Sequence, residues 1–360
     1  MSIALAGLMY FISLVKYCSC MLVLLALAAC GQNEPAEALT AAPDRPNFVI
    51  IMTDDMGFTD FGAFGGRDMK TPNLDNLALN GIRFTNFHGH LSCAPSRAML
   101  MSGMGNHEAG LGTQRDIERF RGERNYERYL VDRVATLPEI LADAGYRTYL
   151  AGKWGLGGPQ ALDPTQRGFG KAFALVPSGG GHLQALFHES RYTFNGKPVT
   201  EPEDPIYSTT LFTDQLIAFF EEDRGSDQPF FALFAPTAPH WPLHMPPGMK
   251  VSDEASYDGG YDKLRSLRLA GAALAGVLPE GVNSNPYPSK AIPWDSLDTE
   301  EKALQIKVME IYAAMIGHLD QEVGRLLNYL QDMGALENTL ILVINDNGAQ
   351  RRFVDAVLRV

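Results

Sequence analysis

The run Asn47-Phe48-Val49-Ile50-Ile51-Met52 is short, almost wholly apolar, and stops abruptly at Thr53-Asp54-Asp55. A strand with one wet face alternates apolar and polar residues. An unbroken apolar run implies that both faces are covered, as in a parallel sheet with helices on either side. The pattern returns at Phe230 to Phe234 and at Thr339 to Asn345, the last stopping at Asp346-Asn347-Gly348, and Arg147 to Ala151 is a further strand. Ile82 to Phe87 is also expected to be a strand.

Helix signals lie between these runs. Thr71-Pro72 opens one helix and Gly81 closes it, and Thr136, Pro138 and Gly145 bracket a second. A third covers Leu211 to Glu222. From Thr299 to Met333, Leu304, Val308, Ile311, Met315, Leu319, Val323, Leu326, Leu330 and Met333 recur at spacings of three and four, which puts them on one helical face. Gly334 is a natural stop. Strands alternating with helices give an α/β sandwich around a largely parallel sheet. Such sheets bind ligands beyond the carboxyl ends of their strands, where both acidic clusters fall.

The net charge of -12 over 360 residues argues against a nucleic-acid partner, because phosphate backbones need clustered Lys and Arg. It leaves an anionic small molecule open, since such a ligand responds to its pocket's local field. There is no internal repeat. Residues 1–29 carry one charge, Lys16, and end in Leu27-Ala28-Ala29-Cys30-Gly31, which resembles a bacterial lipoprotein signal. That resemblance implies export, cleavage before Cys30 and acylation of Cys30. The alternative is an uncleaved membrane anchor from Ile3 to Ala29. Residues 30–45, polar and rich in Ala, Pro and Glu, suit a flexible tether. The globular part is then 46–360.

Of the four cysteines, Cys18 and Cys20 fall in the signal and Cys30 at its end, leaving Cys93 alone in the mature domain. A lone cysteine there is either buried and inert or chemically special. Pro95 suits the first turn of a helix, so Cys93 is expected near a positive helix N-terminus, with Arg97 adding bidentate reach toward oxyanions. Asp54-Asp55 alone would read as a turn or helix cap, and so would Asp346-Asn347. Together they supply three carboxylates and an amide oxygen, the all-oxygen shell a hard cation such as calcium takes. Lys153 by itself reads as a solvated lysine at a strand end, and His240 as a structural histidine.

The stretch Cys93-Ala94-Pro95-Ser96-Arg97, followed by Leu100 and Ser102-Gly103, resembles the signature of the type I sulfatases. Further matches are Thr71-Pro72-Asn73-Leu74-Asp75, Ala151-Gly152-Lys153-Trp154, Ala238-Pro239-His240-Trp241-Pro242-Leu243 and Asn345-Asp346-Asn347-Gly348-Ala349. Asn106 to Gly112 looks like the bacterial arylsulfatases in particular. The resemblance implies an alkaline-phosphatase/sulfatase-like sandwich. It also implies formylglycine made from Cys93 by a maturation enzyme, and one calcium ion on Asp54, Asp55, Asp346 and Asn347. Arg97 would steady the aldehyde hydrate, Lys153 would neutralise sulfate, and His240 would bind sulfate and protonate the leaving oxygen of a small sulfate ester. With the leader, it implies a periplasmic protein lipid-anchored to a bacterial membrane.

The sequence departs from the family twice. Gly155 stands where a histidine normally contacts the hydrate. After Asn347 no lysine follows, and 350–360 does not resemble the family's continuation into more sheet and a C-terminal subdomain. The expectation is a chain truncated, frame-shifted or split there. Two other readings stand beside the sulfatase: a phosphonate or phosphate ester hydrolase on the same fold, and a catalytically impaired, calcium-bound, anion-binding lipoprotein.

Overall fold

A computed structural model describes residues 45–157, 163–177, 179–183, 192–199, 207–249, 257–279, 281–282 and 292–349. Residues 1–44, with the expected signal, Cys30 and all of the tether but Arg45, lie outside the described residues, as do 350–360. The chain divides into two units, Met1–Arg45 and Pro46–Val360, and every described strand and helix belongs to the second.

The strands are β1 (Asn47–Thr53), β2 (Arg147–Lys153), β3 (Lys171–Leu175), β4 (Tyr192–Phe194), β5 (Lys197–Val199), β6 (Phe230–Ala235) and β7 (Thr339–Asn345). They form one sheet in the order β5-β4-β3-β2-β6-β1-β7. From β3 to β7 every pairing is parallel, and β4 and β5 add an antiparallel hairpin at the far edge. Its turn, Asn195-Gly196, has positive φ at both residues (49° and 79°), the geometry that suits the twist of two flanking strands.

The helices are α1 (Pro72–Leu79), α2 (Cys93–Ser102), α3 (Leu137–Asp143), α4 (Ser208–Glu222), α5 (Gly260–Leu274) and α6 (Thr299–Asp332). Reciprocal caps start α3 and α6. Glu139 N donates to Thr136 Oγ1 and Thr136 N to Glu139 Oε2; Asp298 and Glu301 do the same. Side chains of β1 alternate between two cores. Val49 and Ile51 pack with Leu74 of α1, Phe212 and Phe219 of α4, and Leu319 to Leu330 of α6. Ile50 and Met52 pack with Ala98 and Met101 of α2, Trp154 and Phe169. Helices on both faces explain why the strand runs are apolar throughout: all six residues of β6 are buried. The molecule is thus the α/β sandwich that the periodicities and the resemblance implied.

One expectation fails. Ile82 to Phe87 is not a strand, and Ile82, Phe84 and Phe87 are 82%, 69% and 61% exposed. A strand needs a neighbour's backbone groups, and no described strand pairs with this segment. The outer edge of β7 is likewise unpaired among the described residues. Strands β3, β4 and β5 and helix α5 were not anticipated. Helix α5 buries only Gly260, Gly271 and Ala272, so it carries no apolar stripe for periodicity to detect.

Candidate active site

Four strand ends meet at one edge of the sheet. Strand β1 delivers Asp54 and Asp55, β2 ends on Lys153, β6 leads to His240, and β7 leads to Asp346 and Asn347. β1 and β7 run in register from Asn47↔Thr339 to Thr53↔Asn345, which brings the two acidic pairs side by side although 292 positions separate Asp55 from Asn347. Gly152 lets β2 approach β6: at φ 131°, an added Cβ would stand 2.0 Å from Ala235 O. Asp55 takes a left-handed φ of 62°, a conformation aspartate tolerates. Tyr312 of α6 holds it there, its hydroxyl 3.1 Å from Asp55 O and 2.7 Å from Asp60 Oδ2.

The charged groups are buried and interlocked. Arg97 donates from Nε and Nη2 to Asp346 Oδ2 at 2.9 and 2.8 Å, and from Nη1 to Lys153 O at 2.9 Å. Lys153 Nζ donates to Asp54 Oδ2 at 2.6 Å with neither side chain exposed. Asp346 Oδ1 accepts from the backbone amides of Asn347 (2.9 Å) and Asp55 (3.3 Å). Burial works against the charge on Arg97, but Asp346 and Asp54 outweigh it and hold its pKa above the ordinary value. The same balance, led by burial and then Asp54, raises Lys153. Burial, then the charge of Asp54, pushes Asp346 up to about 6. Lys153 is therefore a buried ion-pair partner rather than a solvated lysine.

Cys93 is the first residue of α2 and is 8% exposed. Its position in the first turn places it at the positive end of the helix dipole. The side chain touching it is one that motif reasoning missed. Gln114 Nε2 lies 3.3 Å from Cys93 Sγ, while Gln114 Oε1 accepts from Ser92 Oγ. No sequence signal marks Gln114, which lies in a loop 21 residues along. Gly155 sits in this web too. A Cβ there would stand 3.4 Å from Lys153 Cε and 3.6 Å from Arg97 Cδ, at a φ of 70° that L side chains rarely adopt. The glycine fits a turn that a histidine would strain. His90 Nδ1 is buried without a hydrogen-bond partner, and His88 pairs with Asn86. His107 packs against Tyr126 and His244 against His182.

His240 follows β6, its amide donating to Thr237 O at 2.9 Å. Nδ1 faces the Trp241 carbonyl and so carries a hydrogen. Nε2 then faces Asp55 Oδ2 at 3.6 Å. Two acceptors pointed at each other require a proton or a cation between them. The second residue that motif reasoning missed is His182, fully buried, with Nε2 2.8 Å from His240 O.

The site fits a hard divalent cation. Asp54 Oδ1, Asp55 Oδ2 and Asn347 Oδ1 are all buried with no hydrogen-bond partner, and Asn347 is oriented by its Nδ2 donating to Asp55 Oδ1 at 2.5 Å. Ligand atoms of Asp54, Asp55 and His240 lie within 4.8 Å of one another, as do those of Asp54, Cys93 and Asp346. An orphaned buried carboxylate oxygen is costly, and three orphaned oxygens on the neighbouring ends of β1 and β7 are what a bound cation would relieve. The charge agrees. Three carboxylates against Arg97 and Lys153 leave one net negative charge beside the helix start, and a divalent cation reverses that sign.

Comparison with known proteins gives a family model and curated relatives that agree. The family described as Sulfatase matches residues 46–353. An uncharacterized sulfatase of Schizosaccharomyces pombe is 40% identical over 334 residues, covering 88% of this chain and 60% of the relative. An arylsulfatase of Klebsiella aerogenes is 35% identical over 322 residues, covering 87% of this chain and 68% of the relative. The solved structure of BT4656 in complex with its substrate D-glucosamine-2-N,6-O-disulfate shares the fold, with a TM-score of 0.59 and 23% identity over 87% of this chain and 67% of that one. The chain spans 60% of the length of the first of these relatives.

Proposed function

The chain belongs to the sulfatase family, and from that membership we propose that it is a calcium-dependent sulfatase that hydrolyses an aryl or other organic sulfate monoester. The observation that carries this reading is that Asp54 brings its carboxylate within 4.8 Å of ligand atoms of both Asp55 and Cys93, with buried oxygens of Asp54, Asp55 and Asn347 left without a hydrogen-bond partner, inside a web of two buried cations. When present, calcium supplies Lewis-acid charge for a sulfate oxygen, and a formylglycine made at position 93 supplies an oxygen nucleophile.

The chain's own residues do the rest. Asp54, Asp55, Asp346 and Asn347 hold the cation. Arg97 fixes Asp346 to the end of β2, and so keeps metal ligand and nucleophile in one frame. Lys153 spends one of its three N–H donors on Asp54 and keeps two for a sulfate oxygen. His240 has Nδ1 committed to Trp241 O, which leaves Nε2 to hold the proton a departing alkoxide or phenoxide needs. Gln114 orients the side chain of residue 93. The leader supports export and lipid anchoring at Cys30 in the periplasm. Palmitate labelling that persists in Cys30→Ser would sink that part.

The test is co-expression with a formylglycine-generating enzyme, peptide mass spectrometry across residue 93, and turnover of 4-nitrophenyl sulfate with and without calcium. The expected result is an aldehyde at 93 and calcium-dependent sulfate release that Cys93→Ala abolishes. Faster turnover of 4-nitrophenyl phosphate or a phenyl phosphonate ester would transfer the assignment to phosphorus esters. Calcium binding without turnover of any of these would leave the anion-binding lipoprotein.

A further inference from the structure

His182 is 1% exposed, and both its ring nitrogens are engaged. Nε2 lies 2.8 Å from His240 O, and a carbonyl only accepts, so Nε2 carries the hydrogen. Nδ1 is then a bare lone pair and accepts from Ser208 Oγ at 2.9 Å, with Thr237 Oγ1 behind it at 3.4 Å. Burial, assisted by the neighbouring His244 and His240, pushes the ring's pKa down to about 3 and keeps it neutral. Its backbone carbonyl accepts from Ser208 N at 2.9 Å, and the Tyr207 ring stacks on it at 5.5 Å and 16°. Ser208 opens α4, which packs on β2 and β6. His182 therefore ties the loop after β6 to the sheet's covering helix.

A buried imidazole costs more to desolvate than a leucine of similar size, so packing alone does not account for it. What distinguishes it from an apolar filler is the bond to His240 O. That residue's amide is held on the other side by Thr237 O, and its ring is aimed at Asp55. We infer that His182 is a positioning residue that grips the His240 carbonyl through its Nε2–H and thereby sets where His240 Nε2 meets the substrate oxygen. This rests on the sulfatase reading for the role of His240, but the grip itself does not.

The experiment compares wild type, His182→Leu and His182→Gln, each calcium-loaded and with matched aldehyde content, on 4-nitrophenyl sulfate and on phenyl sulfate. Phenol leaves poorly and depends on the proton from His240. His182→Leu should lower kcat on phenyl sulfate by roughly a hundredfold, the scale of a small misplacement of a reacting group. It should lower kcat on 4-nitrophenyl sulfate far less and leave KM unchanged. His182→Gln, which keeps a donor, should recover at least about tenfold of the loss. Equal losses on both esters, or no recovery with glutamine, would overturn the inference. A second arm needs no turnover. In spectra of 15N-histidine-labelled protein, the His240 ring signals should move in His182→Leu and return in His182→Gln. Unmoved signals overturn the inference even in an active enzyme. Moved signals in a protein that hydrolyses no sulfate ester uphold the grip and reject the sulfatase reading. Should the leucine variant not fold, His182→Asn, whose amide falls short of His240 O, replaces it in both arms with the same expected outcomes.

Discussion

Strands β6 and β7 flank β1 on its two sides, both parallel to it and both made almost wholly of apolar residues. Every residue of β6 is buried, while no residue of β7 is fully buried, with Leu340 54% and Leu342 36% exposed. The difference lies in the next neighbour: β2 lies beyond β6, and nothing described pairs beyond β7. Apolar content thus tells that a run is a strand, and topology decides how deeply it is buried. The functional consequence is uneven. His240 hangs from the deeply buried strand, whereas Asp346 and Asn347 hang from the edge.

The largest effect should come from the buried strand. Phe234 is 0% exposed, and Phe234→Ala should cost about 3–5 kcal/mol of unfolding free energy in urea titrations. Leu342→Ala should cost about 1 kcal/mol, in line with mutations outside the core. Comparable losses would show that β7 is as firmly held as β6.

Calcium should narrow the gap. Saturation to about a hundred times the dissociation constant stabilises by about 2.7 kcal/mol. The rise in melting temperature should vanish in Asp54→Asn. Amide exchange should slow in β7, whose end carries two of the proposed ligands, and change little in β6. Equal slowing in both strands would mean that the cation stabilises the fold globally instead of pinning the edge.

His182, which follows β3 and grips the loop after β6, makes a pH-dependent contribution. The folded pKa of His182 is depressed to about 3, below the unfolded value of 6.5, so the unfolded chain binds the extra proton between those limits. The stability His182 contributes is complete above pH 6.5 and is lost as pH falls toward 3, with a slope of at most about 1.4 kcal/mol per pH unit. His182→Gln should flatten the acid limb of the stability curve by up to that slope. An unchanged limb would place the titration elsewhere.

The smallest effect belongs to Tyr312, which ties α6 to the end of β1. Tyr312→Phe should cost about 1 kcal/mol and weaken calcium binding measurably by calorimetry, because Asp55 loses the hydroxyl on its carbonyl. Unchanged calcium affinity would show that Asp55 keeps its left-handed φ unaided.

Much of this was legible in the sequence, for physical reasons. The core strands announce themselves because both of their faces are covered, and α6 because Met315, Leu319, Val323, Leu326 and Leu330 recur along a buried stripe. The acidic pairs could be placed because strand ends in a parallel sheet share an edge. His182 was invisible because its partner is 58 positions away and its loop has no periodicity. Gln114 hid for the same reason. Ile82 to Phe87 misled because strand propensity is local, whereas a strand exists only with a neighbour.

The register of β1 with β7 also has a meaning in time. A chain emerging at about 5–20 residues per second presents Asp346 roughly 13–50 s after Cys93. Until then Arg97 lacks the carboxylate of Asp346, and Asp346 is absent from the cluster it forms with Asp54 and Cys93. In the finished molecule that thiol is 8% exposed. A modifying enzyme acting on Cys93 would therefore race against the arrival of β7, and slowing translation between codons 93 and 346 would lengthen the interval in which it can reach the thiol.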